Sequence, residues 1–172
     1  EQLVLPDIAD AADLLRPVYE RTAGVDGFVS LEVNPHLAYD THATIAEARR
    51  LFAELDRPNV FIKVPATEEG IPAIETLIGE GINVNVTLIF SVAMYRKVMR
   101  AYIEGLKRYD QAGGNLSRVA SVASFFVSRL DTLIDKLLDE KRKAGAMVEG
   151  LLGLAAVANA KLAYARFVEV FN

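Results

Sequence analysis

The apolar positions of this chain change period again and again, and each change marks a new element. Residues 7–22 (DIADAADLLRPVYERT) space Ile8, Ala11, Ala12, Leu15 and Tyr19 at helical intervals, with Pro17 expected to bend or interrupt the helix. GVDG then breaks it, and FVSLEVN (28–34) alternates by twos as a strand does until Pro35 stops it. In YDTHATIAEARRLFAELDRP, Asp40 or Thr41 can cap a helix carrying Ile45, Ala48, Leu51, Phe52 and Leu55 on one face, closed by Pro58. The same unit recurs: strand NVFIKV (59–64), cap Thr67, helix EEGIPAIETLIGE and a stop at Gly81. It recurs again as strand NVNVTLIF (83–90), Ser91 and helix VAMYRKVMRAYIEGLKRY. After QAGGN comes strand RVASVASFF (118–126) with helix SRLDTLIDKLLDEKRK. A final helix over about 146–170 follows the KAG break.

Four strands alternating with helices predict parallel pairing through right-handed crossovers, which leaves a doubly wound sheet or a (βα)8 TIM barrel. The strand faces discriminate. Val29, Leu31 and Val33 share one face, as do Val60, Ile62 and Val64, and Val84, Val86 and Leu88. The opposite faces carry Ser30, Glu32 and Asn34, then Phe61 and Lys63, then Asn83, Asn85 and Thr87, and on the fourth strand Ser124. A doubly wound sheet buries both faces under helices, so a polar face on strand after strand is costly there. In a barrel that face points to a common axis where polar groups satisfy one another. The expectation is an α/β fold of the TIM-barrel family, as a partial barrel and a single domain over residues 1–172. Four strands cannot close an eight-stranded barrel, so the chain is expected to be part of a larger one or to pair with something.

Composition narrows the function classes. The formal net charge of −4, with acids and bases interspersed, offers no basic stripe for nucleic acid or an anionic membrane. Among 172 residues there is no cysteine, which excludes disulfides and thiolate metal sites and makes a cytoplasmic setting the simplest expectation. The longest weakly polar run, LLGLAAVANA (151–160), is too short to span a bilayer and reads as a buried helix stretch. The N-terminus has no secretory-signal order and opens as if inside a helical region, so the chain is expected to begin after its natural start.

The candidate chemistry starts from Lys63, an ammonium among Val60, Phe61, Ile62 and Val64. An edge-strand lysine could snorkel to water, but these neighbours point to a central strand, where the amine must be paired or neutral. A buried lysine whose pKa falls becomes a nucleophile, so Lys63 is a candidate Schiff-base residue. Glu32 is either its salt-bridge partner or a group that holds water and moves protons at an imine. Asn85 and Thr87, two apart on one strand, offer an amide and a hydroxyl to orient substrate or water, or simply bond one another. Ser124 and Arg129 lie where a strand end meets a helix start and could hold a phosphate, or be a helix-start serine and a surface arginine. His36 and His42, in the loop after Pro35, suit solvated or capping roles, so neither a metal nor a cofactor is expected. Tyr95, Met99 and Tyr102 suit packing, GEG (79–81) and AGG (112–114) suit helix stops, and DEKRK (139–143) suits a solvated helix end.

Four segments together, FVSLEVNPHLAYDTHATIAEARRL, NVFIKVPATEEGIPAI, GINVNVTLIFS and SRVASVASFFVSRLD, resemble the transaldolase family, closest to its actinobacterial and cyanobacterial branch. The resemblance runs in order from about residue 20 to residue 140. It implies a class I aldolase-type barrel that moves a dihydroxyacetone unit between sugar phosphates in the non-oxidative pentose phosphate pathway. By position it implies that Lys63 forms the imine, that Glu32 and Thr87 hold the water of imine formation and hydrolysis, and that Asn85 contacts the donor hydroxyls. Ser124 falls on the family's sixth-strand serine and Arg129 on its phosphate-binding arginine. The family's strands one, two, seven and eight, with an aspartate general acid/base on the first, have no counterpart in this sequence, so the quoted strands would be three to six of eight. Two further readings stay open: a fructose-6-phosphate aldolase-like enzyme, and an inactive half-barrel whose open strand edges invite association, homo-oligomers included.

Overall fold

A computed structural model describes residues 3–171 of the chain. Four parallel strands alternate with helices: α1 (Val4–Arg21), β1 (Val29–Glu32), α2 (Thr41–Leu55), β2 (Val60–Pro65), α3 (Gly70–Gly79), β3 (Val84–Ile89), α4 (Val92–Gln111), β4 (Ser121–Phe125), α5 (Ser128–Lys143) and α6 (Ala155–Phe171). The sheet order is β1-β2-β3-β4, the sequential order of a barrel wall, which bears out the predicted partial TIM barrel. Among the described residues no helix is long and apolar enough to cross a membrane.

The chain divides into two compact units. The first holds Glu1–Thr87 and Lys97–Ala123, the second Leu88–Arg96 and Ser124–Asn172. In the first, Val60, Ile62 and Val64 of β2 are fully buried, with Leu51 and Leu55 of α2 and Ile74, Leu77 and Ile78 of α3. Removing each such side chain from water stabilises by about 1.5–3 kcal/mol, so the alternating apolar face of β2 fixes which side meets the helices. On the other face Phe61 stacks on Phe28 at 4.3 Å between ring centroids, and Tyr19 of α1 meets Phe28 edge-on at 5.2 Å.

Two asparagines fasten the starts of the strands. Asn59 donates from Nδ2 to the carbonyls of Ala12 (2.8 Å) and Gly27 (2.9 Å), tying α1 and the lead into β1 to β2. Asn83 donates to the carbonyls of Pro58 (2.9 Å) and Val60 (3.2 Å) and accepts from the Ala120 N–H at 2.9 Å. The carbonyls of Gly27 and Pro58 and the N–H of Ala120 lie just before β1, β2 and β4, so the two side chains supply partners where the ladders begin.

Local signals mostly act as read. Asp40 caps α2, accepting from the Ala43 N–H at 2.9 Å, and Ser91 accepts from the Met94 N–H at 3.1 Å. Four readings need correction. Pro17 does not break α1, which runs through it; a proline removes one backbone hydrogen bond, and burial of Ala12 and the Tyr19 ring contact hold the helix on either side. His42 lies in the first turn of α2 rather than in the loop. The last helix starts at Ala155, because Gly150 and a left-handed Gly153 (φ 71°) lie in the turns before it, and Leu151, Leu152 and Leu154 are exposed there instead of buried. The alternation of β3 ends at Leu88, whose φ of 59° interrupts the pleat, so that Ile89 takes the fully buried place.

Gly70 opens α3 with no room for a side chain, since a Cβ there would lie 2.1 Å from the Pro65 carbonyl oxygen. The backbone between β2 and α3 would have to move. Gly70→Ala is expected to lower the stability of the protein by about 3 kcal/mol, read from urea midpoints; an unchanged midpoint would refute this close packing.

Candidate active site

The strands place the candidate groups by register. Glu32 of β1 stands opposite Lys63 of β2, and Lys63 opposite Asn85 of β3. Because Ile62 and Val64 turn into the helices, Lys63 turns to the other face. Its Nζ lies 3.3 Å from Glu32 Oε2, and the two side chains are 30% and 44% exposed. The dry setting expected for Lys63 is therefore replaced by a part-solvated ion pair in a central strand. A pair this exposed contributes less than about 1 kcal/mol to stability. Its consequence is chemical: an amine and a carboxylate are held within proton-transfer reach on adjacent strands.

Below the pair, toward the strand starts, buried Phe61 supplies an apolar floor. Asn85 donates from Nδ2 to Ser30 Oγ at 3.2 Å. Thr87, opposite Pro65 in register, is buried at 2% exposure. The first unit thus brings Lys63, Glu32 and Asn85 onto neighbouring register positions, with Thr87 two residues further along β3.

The loops that leave β1 and β2 are latched to each other. Thr41 Oγ1 donates to the Glu69 carbonyl at 2.6 Å, and Thr67 Oγ1 donates to the Ala38 carbonyl at 2.6 Å. Thr67 Oγ1 also accepts from the Gly70 N–H at 2.9 Å, as a helix cap does. Asn34 Oδ1 accepts from the His36 N–H at 3.0 Å, which shapes the turn directly after Glu32. The strand ends carrying Glu32 and Lys63 therefore lead into one braced pair of loops. Sequence reasoning gave Thr67 only the role of a cap and Ser30 only a place on the polar face. For Thr67 no signal pointed across to Ala38, since a backbone acceptor leaves no mark in the sequence.

In the second unit, Ser124 lies on β4 and Arg129 in the first turn of α5. The Arg129 guanidinium sits over the Phe126 ring, 5.0 Å from its centroid, which holds this planar cation beside a strand end. Among the described residues no three His, Cys, Asp or Glu side chains gather as a metal site requires.

Parallel β/α units in sequential order, with an amine, a carboxylate and an amide on one face of adjacent strands, define a protein of the (βα)8-barrel class. The model of the family described as Transaldolase/Fructose-6-phosphate aldolase matches residues 1–172, and the chain belongs to that family. Transaldolase 2 of Streptomyces coelicolor is 58% identical over 166 residues, covering 96% of this chain and 44% of that protein. The transaldolase of Thermobifida fusca is likewise 58% identical, over 96% of this chain and 45% of its own length. That of Saccharopolyspora erythraea is 56% identical over 99% of the chain and 45% of itself. The chain spans less than half the length of the curated relatives it matches.

Proposed function

We propose that the protein carrying this chain is a transaldolase, which transfers a dihydroxyacetone unit from a ketose phosphate, sedoheptulose 7-phosphate or fructose 6-phosphate, to an aldose phosphate. The observation that carries the reading is the Lys63–Glu32 pair, 3.3 Å apart on adjacent strands beside Asn85. The names of the relatives support it.

Lys63, having given up a proton, attacks the ketose carbonyl carbon. Glu32 returns that proton to the carbinolamine oxygen, and water leaves as the C=N bond forms. A general base, the family's first-strand aspartate, then takes the proton of the hydroxyl on the far carbon, which becomes the departing aldehyde, and the protonated imine takes up the electron pair of the breaking carbon–carbon bond. The same acid returns a proton to the acceptor oxygen when the new bond forms. One aldose phosphate departs, and the three-carbon unit stays on Lys63 as an enamine. Addition of the enamine carbon to the aldehyde of an acceptor aldose phosphate restores the imine. Water held by Glu32 and Thr87 hydrolyses it, releasing the new ketose phosphate and the amine. Asn85 bonds the hydroxyls of the bound unit, while Ser124 and Arg129 hold the substrate phosphate. No cofactor is needed, because the imine itself is the electron sink. Sugar phosphates are the partners, and the setting is the cytoplasmic pentose phosphate pathway.

Borohydride reduction of the full-length protein with fructose 6-phosphate is expected to leave a reduced adduct on the peptide containing Lys63, found by mass mapping. An unlabelled Lys63 peptide would sink the assignment. The family's description also names fructose-6-phosphate aldolase, which shares the lysine but releases dihydroxyacetone. Turnover that requires erythrose 4-phosphate separates transfer from release. The 172 residues alone are expected to show no turnover, as an inactive structural unit would.

A further inference from the structure

We propose that Leu88 is a positioning residue for this reaction, acting through Thr87: its left-handed backbone sets where the Thr87 hydroxyl stands and keeps the next place on that face of β3 free of a side chain. The inference rests on the transaldolase reading above. Leu88 has a φ of 59°, a region that glycine enters freely, asparagine at small cost and a bulky residue only under strain. The backbone hydrogen bonds show what the strained residue does. β3 lies between β2 and β4, and the carbonyls of a parallel strand point in turn to the neighbour on either side. Those of Asn83 and Thr87 accept from the N–H groups of Ile62 and Ala66, in β2 and just past it, at 2.9 and 2.8 Å. By that alternation the Ile89 carbonyl also belongs to β2. Instead it accepts from the N–H of Phe126, just past β4, at 2.8 Å. β3 therefore carries one extra residue at Leu88, a bulge placed directly after Thr87.

Without the bulge the period of two returns Ile89 to the face that carries Asn85 and Thr87. A branched apolar side chain would then stand next to the Thr87 hydroxyl, where the water of imine chemistry has to sit. With the bulge, Thr87 is the last residue of β3 on that face, and Ile89 is fully buried. Thr87 cannot adjust on its own. Two heavy atoms branch from its Cβ and stiffen its first torsion, and the side chain is only 2% exposed, so its backbone decides where the hydroxyl points. The residue at 88 thus matters through the backbone it permits rather than through its size or hydrophobicity. Glycine and asparagine permit the left-handed turn, whereas isoleucine and valine, branched at Cβ, resist it.

The test is made in the full-length protein, with kcat and KM measured for fructose 6-phosphate and erythrose 4-phosphate. Leu88→Gly and Leu88→Asn are expected to keep kcat within about threefold, although both discard the apolar side chain. Leu88→Ile, which keeps it, is expected to lower kcat about a hundredfold with KM little changed, the loss that roughly 1 Å of misplacement brings. Leu88→Val serves if the isoleucine variant does not fold. Enzyme-dependent exchange of the ketose carbonyl oxygen with heavy-oxygen water runs through imine formation and hydrolysis, and in Leu88→Ile it falls by the same factor for each Lys63 that borohydride can trap. A damaged fold lowers the number of trappable sites but not the rate at each. Glycine and asparagine variants as slow as the isoleucine one, or an isoleucine variant that loses only thermal stability, overturn the proposal. Crystal structures of the variants give a readout that needs no turnover: the Thr87 hydroxyl is displaced in Leu88→Ile and in place in Leu88→Gly. An unmoved hydroxyl in Leu88→Ile refutes the link. A parent protein inactive on both sugars, with the hydroxyl displaced in Leu88→Ile, leaves the Leu88–Thr87 link standing and refutes the transaldolase reading instead.

Discussion

Lys63→Met removes turnover by the full-length protein by at least about 10⁴-fold while leaving its thermal midpoint within a few degrees of the parent. The two halves of this outcome have different causes. Methionine has nearly the length of lysine and no nucleophile, so imine formation ends and the reaction loses its electron sink. Stability changes little because the broken ion pair is part-exposed, at 30% and 44%, and worth less than about 1 kcal/mol. Lys63→Arg is the sharper control. It keeps a cation against Glu32, yet a guanidinium does not lose its proton in a protein and forms no imine. Its loss of activity should equal that of the methionine variant. Turnover above about one part in a hundred in either variant would place the nucleophile elsewhere.

Asn83→Ala is expected to destabilise the full-length protein by about 3–4 kcal/mol, an effect on folding rather than on chemistry. The side chain is buried at 2% exposure and joins the carbonyls of Pro58 and Val60 to the N–H of Ala120. Alanine leaves the buried Val60 carbonyl and the part-buried Pro58 carbonyl and Ala120 N–H without this partner, and each orphaned group costs about 1–3 kcal/mol. At roughly 2–4 °C per kcal/mol, the thermal midpoint should fall by about 10 °C. Asn83→Asp should be worse, because it keeps the acceptor for Ala120 but turns a carboxylate against two carbonyls. A midpoint within about 2 °C of the parent would show that the strand starts hold together without this residue.

Asn83 also shows where reading the chain by twos stops. The period placed Asn83, Asn85 and Thr87 on one face, and the alternation itself is local, so strands and faces were legible from the residues alone. Depth along the face is not local. It depends on register between strands, and register separates Asn83, spent on backbone groups at the strand start, from Asn85 beside Lys63. The pairing of Lys63 with Glu32 was legible because both polar positions interrupt apolar alternation on consecutive strands. Its part-solvated setting was not, since the identity of Val60, Ile62 and Val64 reports only on the opposite face. The long apolar run before α6 misled for a related reason: Leu151, Leu152 and Leu154 are hydrophobic, but the chain breaks around Gly150 and Gly153 and leaves them in turns.

The latched loops have a consequence for rebuilding this protein by recombination. In each bond the donor is a threonine hydroxyl and the acceptor a main-chain oxygen, Thr41 to Glu69 and Thr67 to Ala38. A chimera that joins a foreign first loop to the native second one keeps the brace if threonine stands at 41 and 67, because any residue at 38 or 69 supplies the carbonyl. Positions 38 and 69 are thus open to libraries that vary what the loops present, while 41 and 67 are the two letters such a library must leave alone.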